Sequence, residues 1–424
     1  MRLTDGEKRM LDGEEGPAVA AALDLLVRYG DVLGAERLVD TDNVCGANIF
    51  NARQRALGGA TPDDVFAQIS LDSPGGFEIP AMRAHSCQLI GPMDTDEWRT
   101  QGVPEATRDA ILDSESYSAR HGIHLMNTCT PYQVGNVPAR GEHCAWMESS
   151  AVIYANSVLG ARTNCEGIAS TGAASLTGKI PCWGNHRDEN RYGTHLVDVR
   201  VRVDNFQDWG MLGYFAGGVA GEDHPVITGD IGRPDLTDLK HFGAAAATSG
   251  GVELYHIPGI TPEAPTVASA FNGGTPPEPV VYGPAERRAV YETLNEIGDS
   301  TDVDFVLLGC PHASVDQIRR AAAALDGKRL SAGTELWLMA PRALKEVADR
   351  SGYTGVIERA GGRVLADSCP AMSRAAPKGT RVFATDSAKQ VHYLPAILGI
   401  EAWFGTLEEC VDAAVTGRWN GALR

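Results

Sequence analysis

Hydrophobic positions recur along this chain with two different periods, and the switch between them marks out the elements. The run TDGEKRML from Thr4 reads as a capped helix, and after a glycine break PAVAAALDLLVRYG reads as an alanine-rich amphipathic helix ending near Gly30. Between about Thr41 and Gly91 the apolar signal is broken by Asp, Ser, Pro and Gly, leaving short strand-like pieces at Val65–Ile69 and Phe77–Ile79. Asp94 to Gly122 carries a helix signal in two parts, DTDEWRTQG and PEATRDAILDSESYSARHG, before the short strand-like HLMNTC and a turn at Thr130–Pro131. The stretch EHCAWMESSAVIYANSVLGA has helical apolar spacing up to Gly160. Further on, VDFVLLGC reads as a buried strand, followed by PHAS and a helix over Val315–Leu325. GTELWLMA with PRALKEVADRSG, then GRVLADSC and RVFATDSA, continue the alternation. That order predicts an α/β sheet with sites at the C-terminal ends of its strands. With no internal repeat or linker in view, interwoven subdomains fit better than separate beads.

Composition narrows the class. A chain of 424 residues has room for roughly two to three domain-sized units. Lys+Arg number 37 against 55 Asp+Glu, a net charge of −18, and no basic run could track nucleic acid or an anionic bilayer. The opening MRLTDGEKRMLDGEEG lacks the apolar core of a secretory signal. No later stretch offers about 18 uninterrupted apolar residues, so a cytoplasmic enzyme is expected. Nine cysteines, an odd number at irregular spacing, argue against a disulfide scaffold and leave thiols or metal ligands.

Three of those cysteines share one setting. Cys129 in MNTCTPY, Cys310 in LLGCPHAS and Cys369 in LADSCP each follow an apolar strand-like run and precede a turn. Thiolates at several strand ends can converge on one iron–sulfur cluster, and a cluster with fewer than four protein ligands leaves an iron open to a substrate oxygen. Such an iron is a Lewis acid that helps a hydroxyl leave as water. The plain alternative is that these are packed thiols, since cysteine is among the most buried residue types. Cys144 and Cys410 lie in helix-like patterns and read as packed thiols of that kind.

GEHCAWMESSAVIYANSVLGARTNCEG concentrates polar groups among apolar ones. Glu148, Ser149, Ser150 and Asn156 fall among Ala, Val, Ile and Tyr, which marks buried, hydrogen-bonded positions or an active-site wall. Arg162, just past Gly160, offers a planar fork for a carboxylate, or else pairs with Glu166 or caps the helix. Glu142 or His143 could shuttle a proton. His186, in the charged loop CWGNHRDENR, reads as a surface histidine. Ser387 and Lys389 follow a strand in TDSAKQVHYLP, where a lysine suits an anionic group.

At GEHCAWMESSAVIYANSVLGARTNCEG, with NTCTPYQVGNVP upstream and LGCPHAS and TDSAKQVHYLPAILG downstream, the sequence resembles aconitase X proteins over nearly its whole length. The resemblance implies an aconitase-like α/β fold of interwoven α/β/α subdomains, with mainly parallel sheets around a cleft. Residues 1–424 are then one catalytic module without a fused small swivelling domain, which a separate small subunit would supply. It implies a hydro-lyase with an iron–sulfur cluster on Cys129, Cys310 and Cys369. Glu142, His143, Glu148 and Ser149 are the expected catalytic groups, and Asn127, Arg162, Asn164 and Lys389 the expected substrate contacts. A small hydroxy acid such as cis-3-hydroxy-L-proline is the expected substrate, with mevalonate 5-phosphate as the alternative. VCGANIFNARQR and SCPAM depart from the family's usual wording and are expected near the substrate.

Two other classes fit parts of the chain. A metal-free enzyme could use Cys310 beside His312, but neighbours on a turn seldom aim at each other and no third orienting group is evident. A non-catalytic or redox-sensing homologue is the other, and the intact GEH and ESSA motifs and the cysteine trio speak against it.

Overall fold

The computed structural model describes residues 1–46, 79–87, 91–296 and 300–423. The strand-like piece at Val65–Ile69, all but the last residue of Phe77–Ile79, and most of VCGANIFNARQR lie outside them. The chain divides into two units, each made of two segments: residues 1–91 with 104–192, and residues 92–103 with 193–424.

The first unit opens on the capped helix that its sequence announces. The Thr4 hydroxyl accepts from the Glu7 backbone N–H, and the Glu7 carboxylate accepts from the Thr4 N–H, closing a capping box on α1 (Asp5–Leu11). Pro17 starts α2 (Pro17–Val32), whose Val19, Leu23 and Leu26 join Val39, Val44 and Ile180 in one apolar core. A two-stranded antiparallel pair joins β1 (Leu38–Asp40) to the strand Lys179–Pro181. Beside it, β2 (Asn43–Cys45), β3 (Ala84–His85), β4 (Ile123–His124) and β5 (Cys144–Trp146) form a parallel sheet in the order β4-β3-β2-β5.

EHCAW is therefore a strand, with Val44 opposite Ala145, and Cys144 belongs to it rather than to a helix. A parallel strand buried on both faces shows no alternation, so helical spacing and a short buried strand look alike in sequence. The helix begins only at α3 (Ser149–Tyr154) and widens into a π turn over Ala155–Leu159. There the Asn156 amide accepts from the Thr163 N–H at 3.0 Å and donates to its carbonyl at 2.8 Å. PEATRDAILDSESYSAR is helical over Glu105–Arg120, as expected.

DTDEWRTQG forms turns instead of a helix and belongs to the second unit. The Asp94 carboxylate accepts from the N–H groups of Asp96 and Glu97, and Gln101 donates to the Asp94 carbonyl, so side chains replace the helical ladder.

The second unit holds two parallel sheets. A three-stranded one runs in the order Pro225–Ile231, His195–Val203, Val280–Tyr282, with helices Phe206–Ala220 and Leu236–Ser249 in close approach. A Cβ on Gly213 would lie 2.3 Å from the Phe242 carbonyl oxygen. The other is five-stranded, in the order Arg363–Ala366, Glu335–Ala340, Phe305–Leu308, Val382–Thr385, Glu401–Phe404; its first four members are the strands read from the sequence, and Glu401–Phe404 is an added edge strand. Val306 and Leu308 enter one apolar cluster and Phe305 and Leu307 another, so both faces of the central strand are covered. Each such side chain contributes about 1.5–3 kcal/mol by leaving water. Val315–Leu325 is helical as predicted, capped by Ser314 with Gln317. No helix among the described residues is long and apolar enough to cross a membrane.

Candidate active site

In the second unit the chemistry collects at one edge. Cys310 follows the strand Phe305–Leu308, Cys369 follows Arg363–Ala366, and Ser387 and Lys389 follow Val382–Thr385, all at the C-terminal ends of the five-stranded parallel sheet. The turn into Cys310 depends on Gly309, whose φ is +83° and whose added Cβ would meet the Met339 carbonyl oxygen at 2.2 Å. Two residues on, His312 Nε2–H donates to the Ser368 carbonyl at 2.9 Å, so the loops that carry Cys310 and Cys369 are tied together. Buried Lys240 donates from Nζ to the His312 carbonyl and to Gln317 Oε1, each at 2.8 Å.

The Cys369 loop is fastened from its other side. The Cys369 N–H donates to the Pro92 carbonyl at 2.9 Å, Asp94 Oδ2 accepts from the Ala366 N–H, and the Asp94 N–H donates to Ser368 Oγ. Arg342 pairs with Asp94, Asp96 and Asp367. Burial pushes the Asp367 carboxyl up to about 6 against the pull of Arg342. Asp386, also buried, is pushed up to about 7 by desolvation, against its own backbone N–H and the charge of Lys240. Cys310 is partly exposed and Cys369 is buried.

The first unit carries Cys129, buried in a turn where the Thr130 N–H donates to Thr128 Oγ1 and Gln133 donates to Thr130 Oγ1. Of its other candidates, His143 and Arg162 border a cavity of 480 Å³ lined also by Arg37, Cys182, His186 and Arg187 among others. His143 Nδ1 and His186 Nδ1 are hydrogen-bonded at 3.0 Å. His186 is only 2% exposed, and desolvation with the charges of Arg191 and Arg162 and the neighbouring His143 pushes it down to about 3. Desolvation first, then Arg162, Arg37 and Arg191, also lower His143. Arg162 donates to the His186 carbonyl at 3.1 Å and pairs with Asp188, not with Glu166. Buried Arg191 donates to the carbonyls of Asn185, Asn156 and Ala161 and so pins the His186 loop.

Of the residues expected from sequence, His143 and Arg162 share this cavity. Glu142 flanks His143 and its carboxylate accepts from the Ala139 N–H at 2.7 Å. Glu148 and Ser149 start α3, with Glu148 Oε1 accepting from Ser150 Oγ. Asn127 and Asn164 direct their amides at protein partners. Asn127 donates to Glu115 and accepts from Ser86, while Asn164 accepts from the Asn185 N–H and donates to the Trp183 carbonyl. His186 is not a surface residue, and Arg37, Arg187, Lys240 and Asp386 join the candidates without having been singled out. The density of charge in NHRDENR was a visible signal for His186 and Arg187 alone.

None of the nine cysteines is in a disulfide. Burial pushes Cys45 up, aided by nearby Cys87, Glu148 and Cys144, and burial with Glu142 pushes Cys144 up, which suits packed SH groups rather than thiolate ligands. Among the described residues no three His, Cys, Asp or Glu side chains stand together at metal-holding distance. The donors at the sheet edge, Cys310 and Cys369 on linked loops, are of the chemistry that an iron–sulfur cluster takes as thiolate ligands.

Comparison with known proteins gives these features a family. Residues 1–189 match the aconitase X first domain, 193–292 the second and 303–416 the third. The chain is 39% identical over 402 residues to the phosphomevalonate dehydratase large subunit of Methanothermobacter thermautotrophicus, covering 93% of this chain and 94% of that protein. It is 33% identical over 428 residues to the cis-3-hydroxy-L-proline dehydratase of Hypocrea jecorina, covering 99% of this chain and 70% of that protein. The crystal structure of Thermococcus kodakaraensis aconitase X in its holo form superposes with a TM-score of 0.80 at 33% identity, covering 98% of this chain and all of that one. Its α/β architecture of interwoven subdomains and mostly parallel sheets is the one described above. The chain belongs to the aconitase X family and is an enzyme of the dehydratase type, a lyase.

Proposed function

We propose that this chain is the large subunit of a hydro-lyase that removes water from a small hydroxy acid, and that the acid is mevalonate 5-phosphate. The observation that carries this choice is the higher identity, 39% against 33%, to a phosphomevalonate dehydratase large subunit than to a cis-3-hydroxy-L-proline dehydratase. It reverses the order in which the sequence alone ranked the two substrates. Cis-3-hydroxy-L-proline is the second reading, supported by a relative that aligns over 99% of this chain.

Cys129, Cys310 and Cys369 are the proposed thiolate ligands of an iron–sulfur cluster, which when bound supplies Lewis-acid pull on the leaving hydroxyl. The protein's own part is positioning and proton handling. Lys240, His312 and Ser368 fix the span between the Cys310 and Cys369 loops. Glu148 and Ser149, partly exposed at the start of α3, are the proposed proton-handling pair, with the Glu148 carboxylate as base. Lys389, beside the N-cap Ser387, is proposed to meet the substrate carboxylate. Arg162 and His143, with Glu142 behind them, serve binding, and Asn127 and Asn164 shape the loops beside them. A separate small subunit and a cytoplasmic setting complete the proposal; the first is supported by the words "large subunit" in the relative's name.

The test is anaerobic turnover of both acids by the chain co-expressed with its small partner. Loss of water from mevalonate 5-phosphate alone is expected, and turnover of cis-3-hydroxy-L-proline alone would move the second reading to first place.

A further inference from the structure

The cavity of the first unit contains a histidine pair whose protonation its surroundings decide. His186 Nε2 is sealed from solvent and has no hydrogen-bond partner, while its Nδ1 lies 3.0 Å from His143 Nδ1. One of the two Nδ1 atoms must carry the proton between them. If His143 carried it, neutral His186 would keep its own proton on Nε2, as a buried N–H with no acceptor. Orphaned buried N–H groups are rarer than under-satisfied acceptors, so the proton belongs to His186 Nδ1. His143 Nδ1 then accepts, and the proton of the His143 ring sits on Nε2. The cavity that His143 lines thus gains an N–H donor of fixed tautomer.

The charges around it are arranged for release. Arg162 is held at the His186 carbonyl with its side chain 20% exposed, whereas its partner Asp188 is 76% exposed. Arg187 likewise pairs with Glu189, which is 59% exposed. Exposed pairs of this kind are worth about 0–1 kcal/mol, so an incoming anion displaces their carboxylates at little cost. Glu36, the remaining carboxylate of the lining, is committed to Arg2 at 2.9 Å. Arg37 has no ion-pair partner among the described residues. In a chain of net charge −18, this is a local concentration of anion donors that the overall field does not supply.

We propose that this cavity is a phosphate subsite, taking a phosphate monoester on Arg37, Arg162 and the Nε2–H of His143. Guanidinium forks and an imidazole N–H from separate chain segments suit a group with three acceptor oxygens better than a flat carboxylate, and 480 Å³ exceeds what a carboxylate alone needs. The identity of the rest of the ligand rests on the mevalonate 5-phosphate reading; the phosphate site itself does not.

The experiment titrates the full chain with inorganic phosphate, and with acetate as the carboxylate control, by calorimetry and by 15N spectra of its histidines. The free protein is expected to show His186 as the Nδ1–H form and His143 as the Nε2–H form, with His143 shifting on phosphate addition. Arg37→Met, at an exposed position, is expected to keep the fold by circular dichroism and to weaken phosphate about tenfold or more. In turnover it should raise KM for mevalonate 5-phosphate far more than it lowers kcat. Acetate binding as tightly as phosphate, or an affinity for phosphate unchanged by Arg37→Met, would overturn the subsite. Phosphate bound through Arg37 without any turnover of mevalonate 5-phosphate would instead overturn the substrate reading and leave the subsite standing. Turnover with an unchanged KM in Arg37→Met would remove the subsite alone.

Discussion

Lys240 is a buried cation bonded to the loop that carries Cys310, and Lys240→Met tests what it does. Methionine matches the side chain as far as Cε and removes two charge-assisted hydrogen bonds, to the His312 carbonyl and to Gln317 Oε1, at 2.8 Å each. Each such bond contributes about 1.5–3 kcal/mol, but burying an ammonium costs several kcal/mol, so these effects largely cancel. Gln317 Oε1 keeps the Ser314 N–H. What remains is a His312 carbonyl deprived of its ammonium donor, a loss of about 1–3 kcal/mol. A second effect depends on pH. The Asp386 carboxyl titrates near 7 when folded against 3.8 in the reference state, so the folded chain holds a proton that the unfolded chain has released between those values. Stability therefore falls as pH rises through that window, by about 4 kcal/mol in total, and stays low above it. Without Lys240 the carboxyl moves still higher, and the fall continues past pH 7. Urea unfolding of the wild type and Lys240→Met at pH 5 and pH 8 reads both effects. The variant should lose about 1–3 kcal/mol at pH 5 and more at pH 8. An unchanged midpoint at pH 5 would refute the hydrogen-bond argument, and equal losses at both values would refute the coupling to Asp386.

Three further outcomes follow from the same geometry. Asp386→Asn should remove most of the decline in stability between pH 4 and 7, read by the same denaturation series; a decline as steep as in the wild type would place its origin elsewhere. Gly309→Ala should cost more than about 1 kcal/mol of stability and lower Tm, because a Cβ at φ +83° meets the Met339 carbonyl oxygen at 2.2 Å; thermal unfolding unchanged from wild type would show that the turn can yield. Arg342→Ala should cost about 1–3 kcal/mol by removing the shared charge partner of Asp94 and Asp367, which are 2% and 7% exposed as side chains, and Arg342→Lys should recover only part of it for want of the fork. Full recovery by lysine would mean that charge alone matters there.

What the sequence disclosed follows the physics of each element. Four strands of the five-stranded sheet were legible because they are apolar runs, the central one buried on both faces, and turns or helices follow them, as the Ser314-capped helix follows Phe305–Leu308. The strand-end placement of Cys310 and Cys369 was legible for the same reason. EHCAW read as helix because three buried residues of a parallel strand carry no period of their own, and DTDEWRTQG read as helix because propensity ignores the Asp94 side chain that captures its amides. His186 and Lys240 were out of reach. Each lies among polar or charged neighbours in sequence, and only tertiary packing seals the imidazole beside His143 and the ammonium beneath His312. The division of cavity residues among Arg37, His143, Arg162 and His186 likewise depends on contacts across more than a hundred positions of chain.

The most direct test of the central claim is the iron and sulfide content of the anaerobically purified chain with its small partner, measured beside Cys129→Ser, Cys310→Ser and Cys369→Ser. Stoichiometric iron and sulfide are expected in the wild type, and loss of both, with turnover, in each folded variant. A wild type that takes up neither after reconstitution, or a serine variant that keeps full iron and full activity, would contradict that claim.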